Sequence, residues 1–307
     1  MKTTVKLPFL LCVIPLWSLV GIYVLKFSSK SQSDCYCEKC LSENEPWFKT
    51  RYNKSIPVFL TADYQLPEKD FKWWNVLRGK GGNYSTYIEL VEEVFKVIPH
   101  RPSVMNERPG CCKTCAVVGN SINLKGSRYG PLINLHDVVM RINYAPTKGW
   151  EADVGSKTTH RIMYPESSTH LDNKTRLVMF PFKLEDLLWL PKTLTTGYFV
   201  RYKPKLRANK TLAMVVNPAF MKYVHETWLE KKGYYPSTGF LTLMMAVHIC
   251  DEIHVFGFGA DKFGDWKHYW DIGRYHLKKT GGHHGVFEYE IIQKLTQHRI
   301  IQFFPGW

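Results

Sequence analysis

Short apolar runs recur through the C-terminal two-thirds of the chain, separated by polar and glycine-containing stretches. Their length and near-continuous hydrophobicity are typical of fully buried parallel strands. In strands with one solvent-exposed face, apolar and polar residues alternate instead. The predicted strands are AVVGN (116–120), RLVMFPF (176–182), TLAMVVNP (211–218), EIHVFGFG (252–259) and RIIQFF (299–304).

Helical periodicity fills several of the intervals. Ile88, Val91, Phe95 and Ile98 recur at helical spacing and predict a helix over 86–98. Alternating strands and helices predict an α/β sheet with helices on both faces, whose ligands bind beyond the carboxyl ends of the strands. The other predicted helices are the amphipathic segments AFMKYVHETWLEKK and TGFLTLMMAVHIC and a helix that begins near Gly285, VFEYEIIQKLTQH.

Residues 8–27 are nearly uncharged and long enough, as a helix, to cross a hydrocarbon core of roughly 30 Å. No small-x-small cleavage site follows, so we expect a signal anchor, with a cleaved signal peptide as the alternative. Lys2 and Lys6 place the short N-terminal end in the cytosol by the positive-inside rule. The expected division is a tail (1–7), a transmembrane anchor (8–27), a polar stem (28–46) and one lumenal domain (47–307).

Two features are consistent with a lumenal location. Four acceptor sequons, at Asn53, Asn83, Asn173 and Asn209, would be usable only in a secretory compartment. Seven of the eight cysteines follow the anchor, and an oxidising lumen favours disulfides. The alternative is a zinc site made from Cys37-x2-Cys40 and Cys112-x2-Cys115, but these pairs are much farther apart than in a zinc ribbon.

The net charge of the chain indicates which kinds of molecule it binds. Hydrophobic residues make up 45% of the sequence, which suits one globular core, and the formal net charge is +14. A basic protein favours nucleic acid, a membrane surface or an anionic small molecule. Because a lumenal protein does not meet nucleic acid, a negatively charged small substrate is the leading candidate.

Two glycine-containing turns are candidate ligand sites. Asn120 follows Gly119 at the end of the first predicted strand, where its amide suits a ribose, or it is a simple turn residue. In YYPSTG, Ser237 is placed to cap a helix whose first amides, at Thr238 and Gly239, form an anion site. The alternative is an ordinary capped helix.

Three histidines are candidates for proton chemistry. His268, in the loop HYWD, could donate to a leaving phosphate or lie in a surface aromatic cluster. His283 precedes the last helix with Glu288 five residues on, and a histidine with a pKa near neutrality is a suitable general base. His284 has only the later Glu290, and a helix-capping role remains open for His283.

The chain contains no Asp-x-Asp. Many nucleotide-sugar transferases use this pair to hold a divalent ion on a diphosphate. If the protein is a glycosyltransferase, its donor should therefore need no metal, as with the single phosphate of a CMP-sugar.

Four segments in order resemble the sequence motifs of the animal sialyltransferases. CAVVGNSINL through IMYPES (115–167) resembles the large sialylmotif, and 217–260 resembles the small one. HYWD (268–271) resembles motif III, although Asp271 stands where the family has Glu. His283-x4-Glu288 resembles the very small motif. The resemblance implies a Rossmann-like, mostly parallel sheet (a GT-A-like variant) with helices on both faces.

The resemblance also implies roles for individual residues. His283 would be the general base, and His268 would hydrogen-bond the leaving phosphate. Arg78, where close relatives have Gln, would lie near the acceptor, and Tyr198 or Tyr202 would face the phosphate. The residues expected to bind CMP are Asn120, Asn143, Tyr235, Ser237, Thr238, Gly239 and Gly259.

The family's disulfide pattern would join Cys115 to Cys250, with Cys35–Cys40 and Cys37–Cys112 bracing the N-terminal segment. Cys111 would be left over.

Within the family, the chain is most similar to the α2,3-sialyltransferases that act on Galβ1-3GalNAc of O-linked glycans. The expected protein is a single-pass type II Golgi membrane enzyme that uses CMP-sialic acid, without a metal, on galactose-terminated glycoproteins or glycolipids. The alternatives are a sialyltransferase with another acceptor, such as Galβ1-4GlcNAc, and an inactive lumenal glycan-binding protein.

Overall fold

The computed structural model describes residues 45–78, 81–103, 112–197, 205–271, 278 and 280–307. A seven-stranded sheet with the order β5-β4-β3-β2-β1-β6-β7 forms its centre, and every neighbouring pair of strands is parallel. The strands are β1 Thr114–Val118, β2 Val138–Ile142, β3 His160–Met163, β4 Arg176–Met179, β5 Ala213–Val215, β6 Glu252–Phe256 and β7 Gln302–Phe304.

The five predicted strands are confirmed, but β2 and β3 were missed. Both carry basic residues that broke the apolar signal, because Arg141 lies inside β2 and His160 and Arg161 begin β3. Arg141 is fully buried and donates to the carbonyl oxygens of Val154 (2.7 Å) and Lys157 (2.8 Å). Hydrogen bonds to backbone carbonyls thus allow a charged side chain to lie inside the sheet, a position for which hydrophobicity alone predicts an apolar residue.

The helices are α1 Pro46–Lys49, α2 Glu68–Asn75, α3 Tyr84–Phe95, α4 Gly130–Leu135, α5 Glu151–Val154, α6 Leu184–Leu194, α7 Pro218–Tyr223, α8 Thr238–Ile249 and α9 Gly285–Gln297. A π-helical segment, Val224–Trp228, continues α7. The helix predicted over 86–98 begins two residues earlier, because the Asn83 side chain caps it by accepting from the Thr86 amide at 2.8 Å. Ile88, assigned to its apolar face, is 41% exposed, and Tyr87 is buried instead.

Helix α8 is not amphipathic, contrary to the prediction. Eight consecutive residues, Phe240–Val247, are buried. The helix contacts β1, β2, β3 and β6, and other chain segments cover its outer side. A helix that is enclosed on all sides has no solvent-exposed face, so its sequence has no polar stripe.

The sheet has an apolar core on each face, whereas the composition by itself indicates one globular core. Alternate residues of β1 point to opposite sides, with Val117 in the larger core and Ala116 in the smaller one. Helix α8 contributes to the larger core, whereas α4 and α5 cover the smaller one through Ile133 and Val154. The expected Cys115–Cys250 disulfide is present and joins β1 to the C-cap of α8.

Several predictions fall on residues outside the described part. These are the anchor 8–27, Cys35, Cys37, Cys40, Cys111, Tyr198 and Tyr202. Cys112 is disulfide-bonded. No helix within the described ranges is long and apolar enough to span a membrane. The sequon asparagines lie at the surface, with Asn53, Asn83 and Asn173 exposed and Asn209 partly exposed; their glycosylation stays a prediction.

A buried carboxyl group ties the start of α8 to the first turn of α9. Glu288 is 6% exposed, and its two oxygens accept from the Ser237 amide at 2.7 Å and the Ser237 hydroxyl at 2.5 Å. The Ser237 hydroxyl oxygen in turn accepts from the Phe240 amide at 3.0 Å and caps α8. Burial raises the pKa of Glu288 to about 7, and the two Ser237 donors offset this only in part.

We expect Glu288 to make the folded state less stable as the pH rises. A carboxyl group whose pKa is higher in the folded than in the unfolded state binds its proton more tightly when folded, so stability falls between pH 4.5 and about 7. The loss is on the order of 3 kcal/mol. Glu288→Gln keeps an acceptor for the Ser237 amide and should remove this part of the pH dependence, as measured by urea unfolding between about pH 5 and about pH 8.

The matched control is Glu290→Gln, which removes an exposed carboxylate from the same helix. It should keep the pH dependence of the wild type. If all three proteins lost stability in parallel as the pH rose, the buried Glu288 carboxyl would not be the titrating group.

Candidate active site

A cavity of about 410 Å³ opens beyond the carboxyl ends of β1, β2 and β6. Parallel strands place their following loops at one edge of the sheet, so residues distant in sequence meet there. The predicted residues that line it are Arg78, Asn120, Asn143, Tyr235, Ser237, Thr238, Gly239, Gly259, His268 and His283. Their roles remain predictions, but the structure brings all ten together.

Asn120 lies directly after β1 with one side of its amide occupied. Its nitrogen donates to the Ile142 carbonyl at 3.1 Å, while its buried oxygen has no hydrogen-bond partner within the described residues. The preceding Gly119 has no room for a side chain, because a Cβ atom would lie 2.3 Å from the Gly257 carbonyl oxygen. The turns after β1 and β6 therefore pack backbone to backbone, and Asn120, with this spare acceptor, is part of the cavity lining.

Asn143 follows β2 in a left-handed conformation, with φ of 59°. The buried Arg161 guanidinium holds this turn by donating to the carbonyls of Asn143, Tyr144 and Ala145 at 3.1–3.2 Å. The Asn143 side-chain oxygen accepts from the Ser167 hydroxyl at 2.8 Å. The orientation of Asn143 is thus fixed before any ligand binds.

The start of α8 has less free hydrogen-bonding capacity than the sequence indicates. Both donors of Ser237 are directed to Glu288. The predicted cap is confirmed, but Ser237 keeps no donor for a phosphate in this arrangement. The first amides of α8, at Thr238 and Gly239, precede its intrahelical hydrogen bonds and are the donors that remain.

His268 is fixed beside Asn120 by pairing between two loops. Ser121 and His268 form an antiparallel bridge, and the Tyr269 amide donates to the Asn120 carbonyl at 3.0 Å. The His268 ring stacks on Trp270 with centroids 4.5 Å apart, and its Nδ1 is 3.2 Å from an Asp271 oxygen. Asp271 thus reaches the ring although the family has Glu at this position.

The adjacent histidines His283 and His284 have different environments. His284 caps α9, because its Nδ1 accepts from the Phe287 amide at 3.2 Å, and it is exposed. His283 lines the cavity, and its buried Nδ1 has no hydrogen-bond partner among the described residues. Burial lowers the pKa of His283, which favours the neutral ring that a base requires.

Two glycines before His283 have separate structural roles. Gly281 has a positive φ of 73°, whereas a Cβ atom on Gly282 would lie 2.9 Å from the Tyr235 ring. Thr280 completes the turn, since its hydroxyl donates to the His283 carbonyl at 2.9 Å. Gly259 shows the same close approach, because a Cβ atom there would lie 2.6 Å from the Tyr289 ring.

Several cavity residues were not predicted. Phe258 and Trp266 line the wall, and Arg161 lies behind it, supporting Asn143. Trp266 belongs to no periodic pattern, and Phe258 was assigned to the end of a strand. Only the similarity to the large sialylmotif covers Arg161. Within the described residues, no group of three or more His, Cys, Asp or Glu side chains is arranged to hold a metal ion.

Comparisons with known proteins match this architecture. The family model of glycosyltransferase family 29 (sialyltransferase) matches residues 59–300. A mouse protein named CMP-N-acetylneuraminate-beta-galactosamide-alpha-2,3-sialyltransferase 1 is 43% identical over 291 residues, covering 90% of this chain and 85% of its own. A second mouse protein, CMP-N-acetylneuraminate-beta-galactosamide-alpha-2,3-sialyltransferase 2, is 41% identical over 282 residues. The match covers 89% of this chain and 80% of that protein.

A solved structure supports the same assignment. It is a crystal structure of a mammalian sialyltransferase in complex with Gal-beta-1-3GalNAc-ortho-nitrophenol, with 41% sequence identity and a TM-score of 0.81. The alignment covers 89% of this chain and 100% of that one. The parallel sheet, the cavity at its carboxyl edge and these similarities agree, and the chain belongs to glycosyltransferase family 29, the sialyltransferases.

Proposed function

We propose that this sialyltransferase transfers sialic acid from CMP-sialic acid to the 3-hydroxyl of galactose in Galβ1-3GalNAc, with inversion and without a metal. The names of the mouse relatives, which contain beta-galactosamide and alpha-2,3, support the linkage and an acceptor of this kind. The crystal structure that contains Gal-beta-1-3GalNAc-ortho-nitrophenol supports the disaccharide. Glycolipids with the same terminal sugars are candidate acceptors as well.

One observation carries the proposal: two histidines in different environments line the same cavity as the start of α8. One ring nitrogen of His283 has no hydrogen-bond partner among the described residues, and burial lowers the pKa of His283, which favours the neutral ring of a base. His268 is held by Asp271 and Trp270 beside Asn120. A base on one segment and phosphate donors on others are the groups that a single-displacement transfer needs.

In the proposed reaction, the galactose O3 forms a bond to the anomeric carbon of sialic acid as the bond from that carbon to the phosphate oxygen breaks. The proton of O3 moves to His283, and the electron pair of the broken bond stays on CMP. His268, held against Asp271, donates a hydrogen bond from its ring to the departing phosphate. The amides of Thr238 and Gly239 stabilise the same charge through the helix dipole.

Metal independence follows from the donor. CMP-sialic acid carries one phosphate and not a diphosphate, so less negative charge develops on its leaving group, and we expect a histidine and a helix N-terminus to stabilise that charge. The sequence also lacks the Asp-x-Asp pair that holds a metal on a diphosphate. His268 and the backbone amides at the start of α8 are therefore expected to stabilise the leaving group without a metal.

The proposed location is the Golgi lumen, behind a single anchor at 8–27. The Cys115–Cys250 disulfide fits an oxidising compartment, and the surface positions of the sequon asparagines fit glycosylation. A lumenal enzyme on a type II anchor would meet galactose-terminated glycans on proteins and lipids in transit.

The acceptor is tested with the full-length chain in detergent, CMP-sialic acid, and Galβ1-3GalNAc or Galβ1-4GlcNAc, each with and without EDTA. We expect transfer mainly to Galβ1-3GalNAc, at a rate that EDTA does not change, and a product with sialic acid on O3 of galactose. Preferred transfer to Galβ1-4GlcNAc would establish a different acceptor. Absence of transfer to both would favour a glycan-binding protein.

The base is tested by comparing His283→Ala with His284→Ala. We expect His283→Ala to lower kcat by roughly 100- to 10,000-fold, because no other described group is predicted to take the hydroxyl proton. His284→Ala should keep most of the turnover and lose at most about 1 kcal/mol of stability with its helix cap.

The pH profile provides a second readout for His283. Since burial lowers its pKa, wild-type kcat should decline only at a pH below the ordinary value of 6.5. An active His283→Ala variant with an unchanged acid limb would exclude His283 as the base and direct attention to His284.

A further inference from the structure

Arg78 places a guanidinium group in the wall of the cavity, between two tyrosine rings. Its central carbon lies 5.8 Å from the ring centroid of Tyr164 and 5.9 Å from that of Tyr235. The side chain lines the cavity just after α2 and is partly exposed. Cation–π contacts of this kind orient a guanidinium without using its N–H donors.

The charge of Arg78 is not neutralised by an acidic partner within the described residues. No described carboxylate or carbonyl accepts a hydrogen bond from it. The charge of Arg78 contributes to lowering the pKa of Glu166. The Glu166 carboxylate, however, forms its ion pair with Lys183, at 2.8 Å. By contrast Lys267, which also lines the cavity, has an Asp265 oxygen at 3.5 Å.

Tyr235 connects Arg78 to the proposed reaction centre. The rings of Tyr235 and His283 meet edge to face with centroids 6.5 Å apart, and Arg78 lies on the same tyrosine. A group bound by Arg78 would therefore be one aromatic ring away from the proposed base.

We propose that Arg78 forms a subsite for the carboxylate of a sialic acid at the reaction centre. A guanidinium offers two parallel N–H donors, which match the two oxygens of a carboxylate. The inference rests on the proposed function, which supplies such a sugar. The carboxylate has two possible sources: the sialic acid being transferred, or one already attached to the acceptor glycan next to the galactose.

Arg78→Gln removes the charge and keeps a polar side chain, and Arg78→Lys keeps the charge but loses the two-pronged donor geometry. Each is assayed with Galβ1-3GalNAc and with the same disaccharide carrying an α2,6-linked sialic acid on GalNAc. If the donor is the source, Arg78→Gln raises the KM for CMP-sialic acid about tenfold or more with both acceptors. If the acceptor is the source, kcat/KM falls by a similar factor for the sialylated glycan only.

The lysine variant separates recognition from packing. Arg78→Lys should recover part of the loss in whichever assay Arg78→Gln affects, whereas a purely structural role would lower the activity toward all substrates together. Arg101→Gln is the matched control, because Arg101 makes an exposed ion pair with Asp63 and its loss changes the net charge by the same amount. It should leave both the donor KM and the acceptor ratio unchanged.

Calorimetry tests the subsite independently of turnover, and so separates its failure from that of the proposed function. Binding of CMP-sialic acid is compared with that of CMP, and the sialylated glycan is compared with the neutral one. The proposal requires that Arg78→Gln lower the affinity for one carboxylate-bearing ligand relative to its partner. Equal ratios in the wild type and in Arg78→Gln, for both pairs of ligands, would overturn it even if the wild type transfers sialic acid normally.

Discussion

The contact between the Glu288 carboxyl and Ser237 joins the two segments on which the cavity depends. It sets the first turn of α9 against the start of α8, although Ser237 and Glu288 are 51 positions apart in the chain. His283 lies just before α9, and the Thr238 and Gly239 amides begin α8. A displacement of this contact would therefore move the proposed base relative to the proposed phosphate donors, although Glu288 has no assigned step in the reaction.

The parallel sheet provides the second constraint. Because all its strands run in the same direction, the loops after β1, β2 and β6 end at one edge, and the cavity forms there. The bridge between Ser121 and His268 then places the loop that follows β6 against the loop that follows β1. The Cys115–Cys250 disulfide adds a covalent tie between β1 and the far end of α8.

Buried positive charge is handled differently in the core and in the cavity. Arg141 and Arg161 lie inside the sheet and donate hydrogen bonds to backbone carbonyls, and Arg161 in this way supports the turn that carries Asn143. Arg78 is held by aromatic faces instead, which leaves its donors available to a ligand. The same residue type thus serves as scaffold in one place and as a candidate recognition group in the other.

The sequence by itself determined the alternating α/β architecture, five of the seven strands, the cap at Ser237 and the start of α9, because these depend on local periodicity and capping chemistry. Its motif order also determined the family and ten of the residues that line the cavity. Only the tertiary structure decided that β2 and β3 are strands, since the buried Arg141 and Arg161 need distant carbonyl acceptors. It alone separated His283 from His284, directed the donors of Ser237 to Glu288 and left Arg78 with aromatic neighbours, because each outcome depends on contacts between residues far apart in the chain.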